Sequence, residues 1–332
     1  MTGLLFFCEG SPERGFGHVG RCLALAHSLR DEYGQECAFV FRGSRAARDK
    51  IEHSGFVVHV VADFNGWEFT GEPAAILDLL IPLDNVFFDR AKKSGAMLAT
   101  LDDPTDNRIR CELAFYPPVP QVDELDWSGF RGKIFKGWQY IPLRNEFSGC
   151  CKTDKTQTTP QLLITMGGSD PHGLTVKTLE ALRELETPWS AKVIAGPMCK
   201  NLDKIDEMRQ ELGSRVELLS NVKMMAELMQ GCDLAVASFG MTAYELAACA
   251  VPQLLLSITE DHARSASALH QSGAAISLGK FDRVSIGKLT EMMRKLISDI
   301  PLRREMSAKA KALGIGNGAS NIASVILEKL KQ

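Results

Sequence analysis

A histidine set among glycines is the first residue in this chain that could do chemistry. His18 stands in Glu13-Arg14-Gly15-Phe16-Gly17-His18-Val19-Gly20-Arg21, directly after the apolar run Leu4-Leu5-Phe6-Phe7-Cys8. Strand, glycine turn and helix start form a geometry that aims several backbone N–H groups at one spot. Gly15 and Gly17 let the backbone pass close to a ligand. An imidazole is the side chain best suited to move a proton near neutrality. The same stretch is compatible with a histidine that only caps its helix. It is a poor dinucleotide fingerprint, because Gly20 falls inside the first helical turn and no clear acidic residue ends the second strand.

Four further groups carry polar chemistry. Gly167-Gly168-Ser169-Asp170 repeats the strand–glycine–helix logic: the glycines expose N–H groups, Ser169 is expected to cap the helix or touch a phosphate, and Pro171 suits a first helical turn. Ala237-Ser238-Phe239-Gly240-Met241-Thr242-Ala243-Tyr244-Glu245 places a carboxylate about one turn into a helix, where Glu245 can accept hydrogen bonds from two vicinal hydroxyls. Its alternative is a solvated helix glutamate. His262 follows a strand and starts a helix, so it either reaches the same region or caps. Asp102-Asp103 precedes Pro104 and reads first as a turn cap, second as paired carboxylates at a substrate.

These residues need elements to hold them. Strands are expected at Leu4–Cys8, Glu36–Phe41, Phe56–Val61, Ala74–Asp78 and Ala96–Leu101, with helices from Ser44, its cap, to His53 and from Asn85 to Ser94. The tract from Ser148 to Pro160 is polar and threonine-rich and reads as a linker. The pattern then restarts with strands at Gln161–Met166, Lys192–Ala195, Arg215–Leu219, Asp233–Ala237 and Gln253–Ser257, and a helix from His172 to about Leu185. Residues from Ser285 to Lys331 read as amphipathic helices. Alternation of this kind implies parallel sheets with right-handed helical crossovers. The expected fold class is α/β, with Rossmann-like domains over 1–148 and 160–332 whose sheets face across a cleft.

Composition narrows the function. At 332 residues, 45% hydrophobic and 24% charged, the chain is ordinary for a two-domain soluble protein. A net charge of −3 without a long basic run gives no reason to expect nucleic-acid binding. No signal peptide or bilayer-length apolar segment is evident, so the expected location is cytoplasmic, without stable membrane association. The nine cysteines include no C-x-x-C pair, and the adjacent Cys150-Cys151 suit neither a structural disulfide nor a zinc site. No metal is expected.

Together the motifs resemble a known family. The stretch G-F-G-H-x-x-R at Gly15–Arg21, the strand followed by M-G-G-S-D at Met166–Asp170, Tyr140-Ile141-Pro142-Leu143-Arg144-Asn145-Glu146-Phe147, and the turn before Tyr244-Glu245-Leu246-Ala247 are similar to motifs of the UDP-sugar hydrolases of pseudaminic acid biosynthesis. Those are relatives of the lipid-linked GlcNAc transferase of peptidoglycan synthesis. The resemblance implies a GT-B fold and metal-independent hydrolysis of a UDP-activated amino sugar, such as UDP-2,4-diacetamido-2,4,6-trideoxy-β-L-altropyranose. Water would attack the anomeric carbon and release UDP, with no cofactor and with a small nucleotide-sugar as the partner. It implies His18 as general base. Gly17, Arg21, Tyr140, Met166, Gly168, Ser169, Phe239, Thr242, Glu245 and His262 would contact substrate or nucleotide, Glu245 at the ribose. Three positions depart from the family pattern: Leu80 replaces a sugar-contacting tyrosine, His262-Ala263 replaces Asn-Gln, and Glu9-Gly10-Ser11 lacks the usual aspartate. An inverting glycosyltransferase and a sugar-nucleotide-binding protein without catalysis are the alternatives.

Overall fold

Runs of apolar, β-branched and aromatic residues separated by capped helices produce two parallel sheets. The computed structural model describes residues 3–11, 16–150, 159–196 and 198–332. The chain divides into two compact units, Met1–Asn145 with Gly316–Gln332, and Glu146–Ile315.

The first unit holds strands β1 (Leu4–Gly10), β2 (Cys37–Gly43), β3 (Val57–Val60), β4 (Ala74–Asp78), β5 (Met97–Leu101), β6 (Leu113–Tyr116) and β7 (Lys133–Lys136). Their order is β3-β2-β1-β4-β5-β6-β7, every pairing parallel. β1, β4 and β5 are buried along their whole length, as expected when helices cover both faces. Helices α1 (Gly17–Tyr33), α2 (Arg45–His53), α3 (Asn85–Ser94) and α4 (Pro120–Glu124) lie between strands. Their caps follow the sequence: Ser44 Oγ accepts from the Ala47 N–H and Asp84 from the Phe87 N–H, each satisfying a donor that the helix leaves unpaired. Leu4, Phe6, Val19, Leu25, Phe39 and Ile76 lie in one core layer, and Leu5, Phe7, Leu77, Phe87 and Phe88 in the other.

The second unit holds β8 (Gln161–Thr165), β9 (Ser190–Ala195), β10 (Val216–Ser220), β11 (Leu234–Ser238), β12 (Gln253–Ser257) and β13 (Ala275–Lys280), in the order β10-β9-β8-β11-β12-β13. This is the doubly wound 3-2-1-4-5-6 order, which reverses between the first strand and the fourth. Helices α5 (Leu174–Arg183), α6 (Leu202–Leu212), α7 (Met225–Gln230), α8 (Met241–Ala248), α9 (Glu260–Gln271), α10 (Ile286–Ser298) and α11 (Ile300–Ala312) complete it.

The structure corrects four expectations. The last helix, α12 (Gly318–Leu330), packs with the first unit, where Ile322, Ala323 and Ile326 join the layer of Phe6 and Leu25. The expected 160–332 domain therefore loses its end, because an apolar helix face goes where a complementary surface exists. Strands β6, β7 and β13 form in segments where the sequence pattern predicts none. Cys150 bonds to Cys249, ninety-nine positions away, with Cα atoms 4.9 Å apart. The reading of Cys150 as unsuited to a structural disulfide thus fails, since its partner comes from the end of α8 and not from the neighbouring Cys151. Finally, α5 begins at Leu174, two residues after the expected start at His172. Most of the expected linker, residues 151–158, lies outside the described residues, as do Glu13, Arg14 and Gly15 of the first motif.

Candidate active site

In each unit several of the expected site residues lie beyond the carboxyl ends of the strands, near the pair where the order reverses. Open parallel sheets bind ligands at such switch points.

In the first unit that pair is β1 and β4, with Cys8 in register with Asp78. Helix α1 follows β1 in the chain, and His18 and Arg21, three apart, share one face near its start. Both reach Asp78, which ends β4 and is fully buried. The His18 Nδ1 lies 2.6 Å from Asp78 Oδ1. Arg21 donates from Nε to Asp78 Oδ2 at 2.6 Å and from Nη2 to Oδ1 at 2.6 Å. Its Nη1 donates to Asp102 Oδ2 at 2.9 Å. The Cys22 thiol donates to Asp78 Oδ2 at 3.4 Å. Burial alone would push the Asp78 carboxyl up, but the charges and hydrogen bonds of Arg21 and His18 outweigh it and hold the group well below the usual carboxylate range. Burial likewise opposes the Arg21 charge, and Asp78 and Asp102 overcome it, holding the guanidinium well above its ordinary value.

Asp102 adopts a left-handed backbone, φ 51°. Aspartate tolerates that region better than most residues. Its neighbour Asp103 turns inward and accepts from the Thr105 N–H at 2.7 Å and Asn107 Nδ2 at 3.1 Å. Burial pushes Asp103 up to about 6, these hydrogen bonds offsetting part of the effect. The two carboxylates thus divide: Asp103 caps the turn, and Asp102 locks Arg21. Glu9 is buried and paired with Arg42.

In the second unit the reversal lies between β8 and β11, with Thr165 in register with Ala237. The Gly167-Gly168-Ser169 turn follows β8, Phe239 follows β11, and His262 lies in the first turn of α9 beyond β12. Gly167 has φ 77°, a region that only glycine enters without cost. The backbones of Gly168 and Gly196 touch so closely that a Cβ on Gly196 would lie 2.4 Å from the Gly168 carbonyl oxygen. Asp170, not Ser169, caps α5: its carboxylate accepts from the Leu174 N–H at 2.7 Å and the Thr175 N–H at 2.9 Å. Its own φ of 38° turns the side chain back onto the helix.

The Phe239 ring packs against Tyr244 at 5.7 Å and His262 at 6.0 Å. Burial pushes the His262 imidazole down from its ordinary value, favouring the neutral ring. Its Nδ1 is buried with no hydrogen-bond partner among the described residues. A buried polar atom in that state costs free energy unless something else bonds to it. Thr242 and Glu245 lie on the partly exposed side of α8.

Three expected contact residues have their side chains engaged within the protein. Met166 is buried in the core of the second unit. The Tyr140 ring packs on Phe115 and Phe135 at 5.9 and 5.4 Å, near edge strand β7. Arg21 spends its guanidinium on Asp78 and Asp102. Conversely, sequence reasoning alone singles out no role for Asp78, although a carboxylate ending an apolar strand is a visible signal.

No protein-family model matches the chain. Two Rossmann-like parallel-sheet units in one chain define the GT-B class of fold, and solved structures agree. The crystal structure of Acinetobacter baumannii MurG aligns with a TM-score of 0.72 at 15% identity, covering 99% of this chain and 100% of that one. Anabaena Alr3699/HepE in complex with UDP and glucose aligns at 0.63 and 14%, covering both chains in full. In sequence, the chain is 29% identical over 263 residues to the uncharacterized protein MJ1062 of Methanocaldococcus jannaschii, covering 75% of this chain and 54% of that protein. The match thus spans about half the length of that relative. It is 24% identical over 344 residues to the spore coat polysaccharide biosynthesis protein SpsG of Bacillus subtilis, covering 98% of each. It is 26% identical over 180 residues to the UDP-N-acetylglucosamine–N-acetylmuramyl-(pentapeptide) pyrophosphoryl-undecaprenol N-acetylglucosamine transferase of Anaeromyxobacter, covering 52% of this chain and 46% of that one. The chain is related to the MurG-like glycosyltransferases of this fold.

Proposed function

We propose that the protein hydrolyses a UDP-activated amino sugar, with His18 as the base that activates water. The observation that carries this reading is the His18 imidazole, held at the switch-point edge of a parallel sheet by a buried carboxylate. Water would lose a proton to His18 as its oxygen bonds the anomeric carbon. The bond from that carbon to the diphosphate would break, its electron pair leaving with UDP. A positioned base supplies about 10²–10⁴-fold. Backbone N–H groups at the Gly167-Gly168-Ser169 turn would stabilise the leaving charge without a cation.

In the same reading Glu245 takes the ribose hydroxyls, and Phe239, Thr242 and His262 line the nucleotide. The His262 Nδ1, without a partner among the described residues, favours a polar ligand group there. The substrate class is drawn from the resemblance to the hydrolases and from the relatives, among them a UDP-N-acetylglucosamine transferase. Of the implied substrates, UDP-2,4-diacetamido-2,4,6-trideoxy-β-L-altropyranose or a close analogue is the one proposed, and the cytoplasm is the proposed compartment. No helix among the described residues is long and apolar enough to cross a membrane.

A transferase reading is favoured by the similarity to that same enzyme. There His18 would deprotonate an acceptor hydroxyl instead of water. A panel of UDP-sugars incubated without any acceptor separates the two. Steady multiple-turnover release of UDP supports hydrolysis. Release that starts only when an acceptor is added would overturn it in favour of transfer.

A further inference from the structure

The Asp78 carboxylate stands between an imidazole and a guanidinium, and elementary hydrogen-bond counting fixes where the protons are. A guanidinium has five N–H donors and no acceptor. Arg21 places two of them on Asp78, Nε on Oδ2 and Nη2 on Oδ1, each at 2.6 Å. Both carboxylate oxygens are therefore accepting, and Oδ2 also receives the Cys22 thiol. The remaining short contact, Oδ1 to His18 Nδ1 at 2.6 Å, needs one proton between its two atoms. With Oδ1 already accepting from Arg21, that proton belongs to Nδ1. The Arg21 Nη2 also lies 3.1 Å from Nδ1. That approach follows from two donors converging on one oxygen, because a nitrogen carrying a proton in the ring plane has no lone pair to offer there.

We propose that Asp78 is a positioning residue that fixes His18 in the tautomer protonated at Nδ1, leaving the Nε2 lone pair as the base, and that Arg21 serves this unit and not the nucleotide. Asp102 completes it. Its Oδ2 holds the Arg21 Nη1 at 2.9 Å, so the guanidinium is gripped by one carboxylate at the end of β4 and another just beyond β5. Swinging toward a phosphate would break three charge-assisted bonds in a site where the arginine side chain is only 11% exposed. The charged and titratable groups around the unit are therefore Arg21 and Cys22 from α1, Asp78 from β4, Asp102 beyond β5, and Cys8 from β1 beside Cys22. Burial raises the Cys22 thiol well above its ordinary value, so it stays a neutral donor. When Nε2 takes a proton from water, the imidazolium gains a fixed anion at Nδ1. Asp78 itself keeps no proton, because Arg21, His18 and Cys22 together donate two hydrogen bonds to each of its oxygens.

The catalytic consequence rests on the proposed function, but the tautomer does not. Nitrogen-15 correlation spectra of histidine-labelled protein, with the His18 signal assigned by its loss in His18→Gln, report the tautomer directly. The wild type is expected to show neutral His18 protonated at Nδ1. Asp78→Asn, which presents an amide N–H₂ to the ring, is expected to shift it toward Nε2–H and to slow UDP release by about 10²–10⁴-fold, the range of a lost general base. Arg21→Lys is expected to keep UDP binding within about twofold while lowering the rate. A wild-type ring protonated at Nε2 overturns the proposal and needs no variant. So does an Arg21→Lys protein that has lost UDP affinity at unchanged turnover. The expected tautomer in a protein that releases UDP from no substrate would leave the positioning unit standing and remove the hydrolase reading alone.

Discussion

The two switch-point edges share a topology and differ in what fills them. At the edge of β1 and β4 the polar groups are side chains that satisfy one another: an imidazole and a guanidinium on one buried carboxylate, and a second carboxylate behind the guanidinium. At the edge of β8 and β11 they are backbone groups at a glycine turn, an aromatic pair, and an imidazole nitrogen with no partner among the described residues. A self-satisfied charged cluster is rigid and suits proton transfer. Exposed backbone donors and an unpartnered ring nitrogen suit a ligand that brings its own charge. The proposed function divides accordingly, with chemistry at the first edge and grip on the nucleotide at the second.

Breaking each edge separately should therefore damage different quantities. His18→Ala should lower the rate of UDP release about 10²–10⁴-fold. Calorimetric binding of UDP should stay within about twofold, and a joint loss of rate and affinity would erase the division.

Asp78→Ala should act on the fold as much as on activity. It leaves the Arg21 guanidinium buried with a single carboxylate, and removing one member of a buried ion pair costs about 3–5 kcal/mol. Urea unfolding measures this, and a loss under about 1 kcal/mol would mean the cluster is not held together by charge.

Asp78 and Asp103 sharpen the comparison within the first unit. Both are fully buried. Asp78 faces an arginine and its pKa is held down, so its contribution to stability is present above the unfolded carboxylate value near 4 and is lost as pH falls. Asp103 has only neutral donors and is pushed up to about 6. Its folded value lies above the unfolded one, so its contribution is present below about pH 4 and is lost as pH rises through 6. Relative to Asp103→Asn, the wild type should lose up to about 3 kcal/mol between pH 4 and 7, since a tenfold change in proton affinity corresponds to roughly 1.4 kcal/mol. A flat difference across that range would show that Asp103 is ionised in the fold at little cost.

Gly196→Ala is the smaller probe of the second edge. The added Cβ would meet the Gly168 carbonyl oxygen at 2.4 Å, forcing the turn aside at about 1–3 kcal/mol. UDP affinity should fall while the His18 nitrogen signals stay unchanged. Unaltered affinity would take that turn out of the nucleotide site.

Much of the scaffold was legible in the chain because the signals are local. Ala74–Asp78, Asn85–Ser94 and Gln253–Ser257 begin and end as read, each bounded by a cap, a turn or a change in apolar run. Lys133–Lys136 is a four-residue edge strand with only two apolar residues between lysines, and Ala275–Lys280 contains Gly279, so neither declares itself a strand. The pairing of His18 with Asp78 spans sixty residues and depends on β1 and β4 being neighbours. That adjacency follows from chain topology, not from any motif. For the same reason Arg21 read as a ligand contact, since its two carboxylate partners are remote in sequence. The Cys150–Cys249 bond and the docking of α12 on the first unit are likewise products of tertiary packing. Ser169 and Asp170 are equally good caps by residue type, and the bonds of Asp170 to the Leu174 and Thr175 N–H groups form only in the folded turn.

The central claim is that water, activated by His18, attacks the sugar and not the phosphate. Turnover of the UDP-sugar in ¹⁸O-labelled water, followed by mass spectrometry of both products, tests it directly. The account predicts the label on the anomeric oxygen of the released sugar, with UDP unlabelled. Label in the terminal phosphate of UDP would place the attack at phosphorus and contradict it.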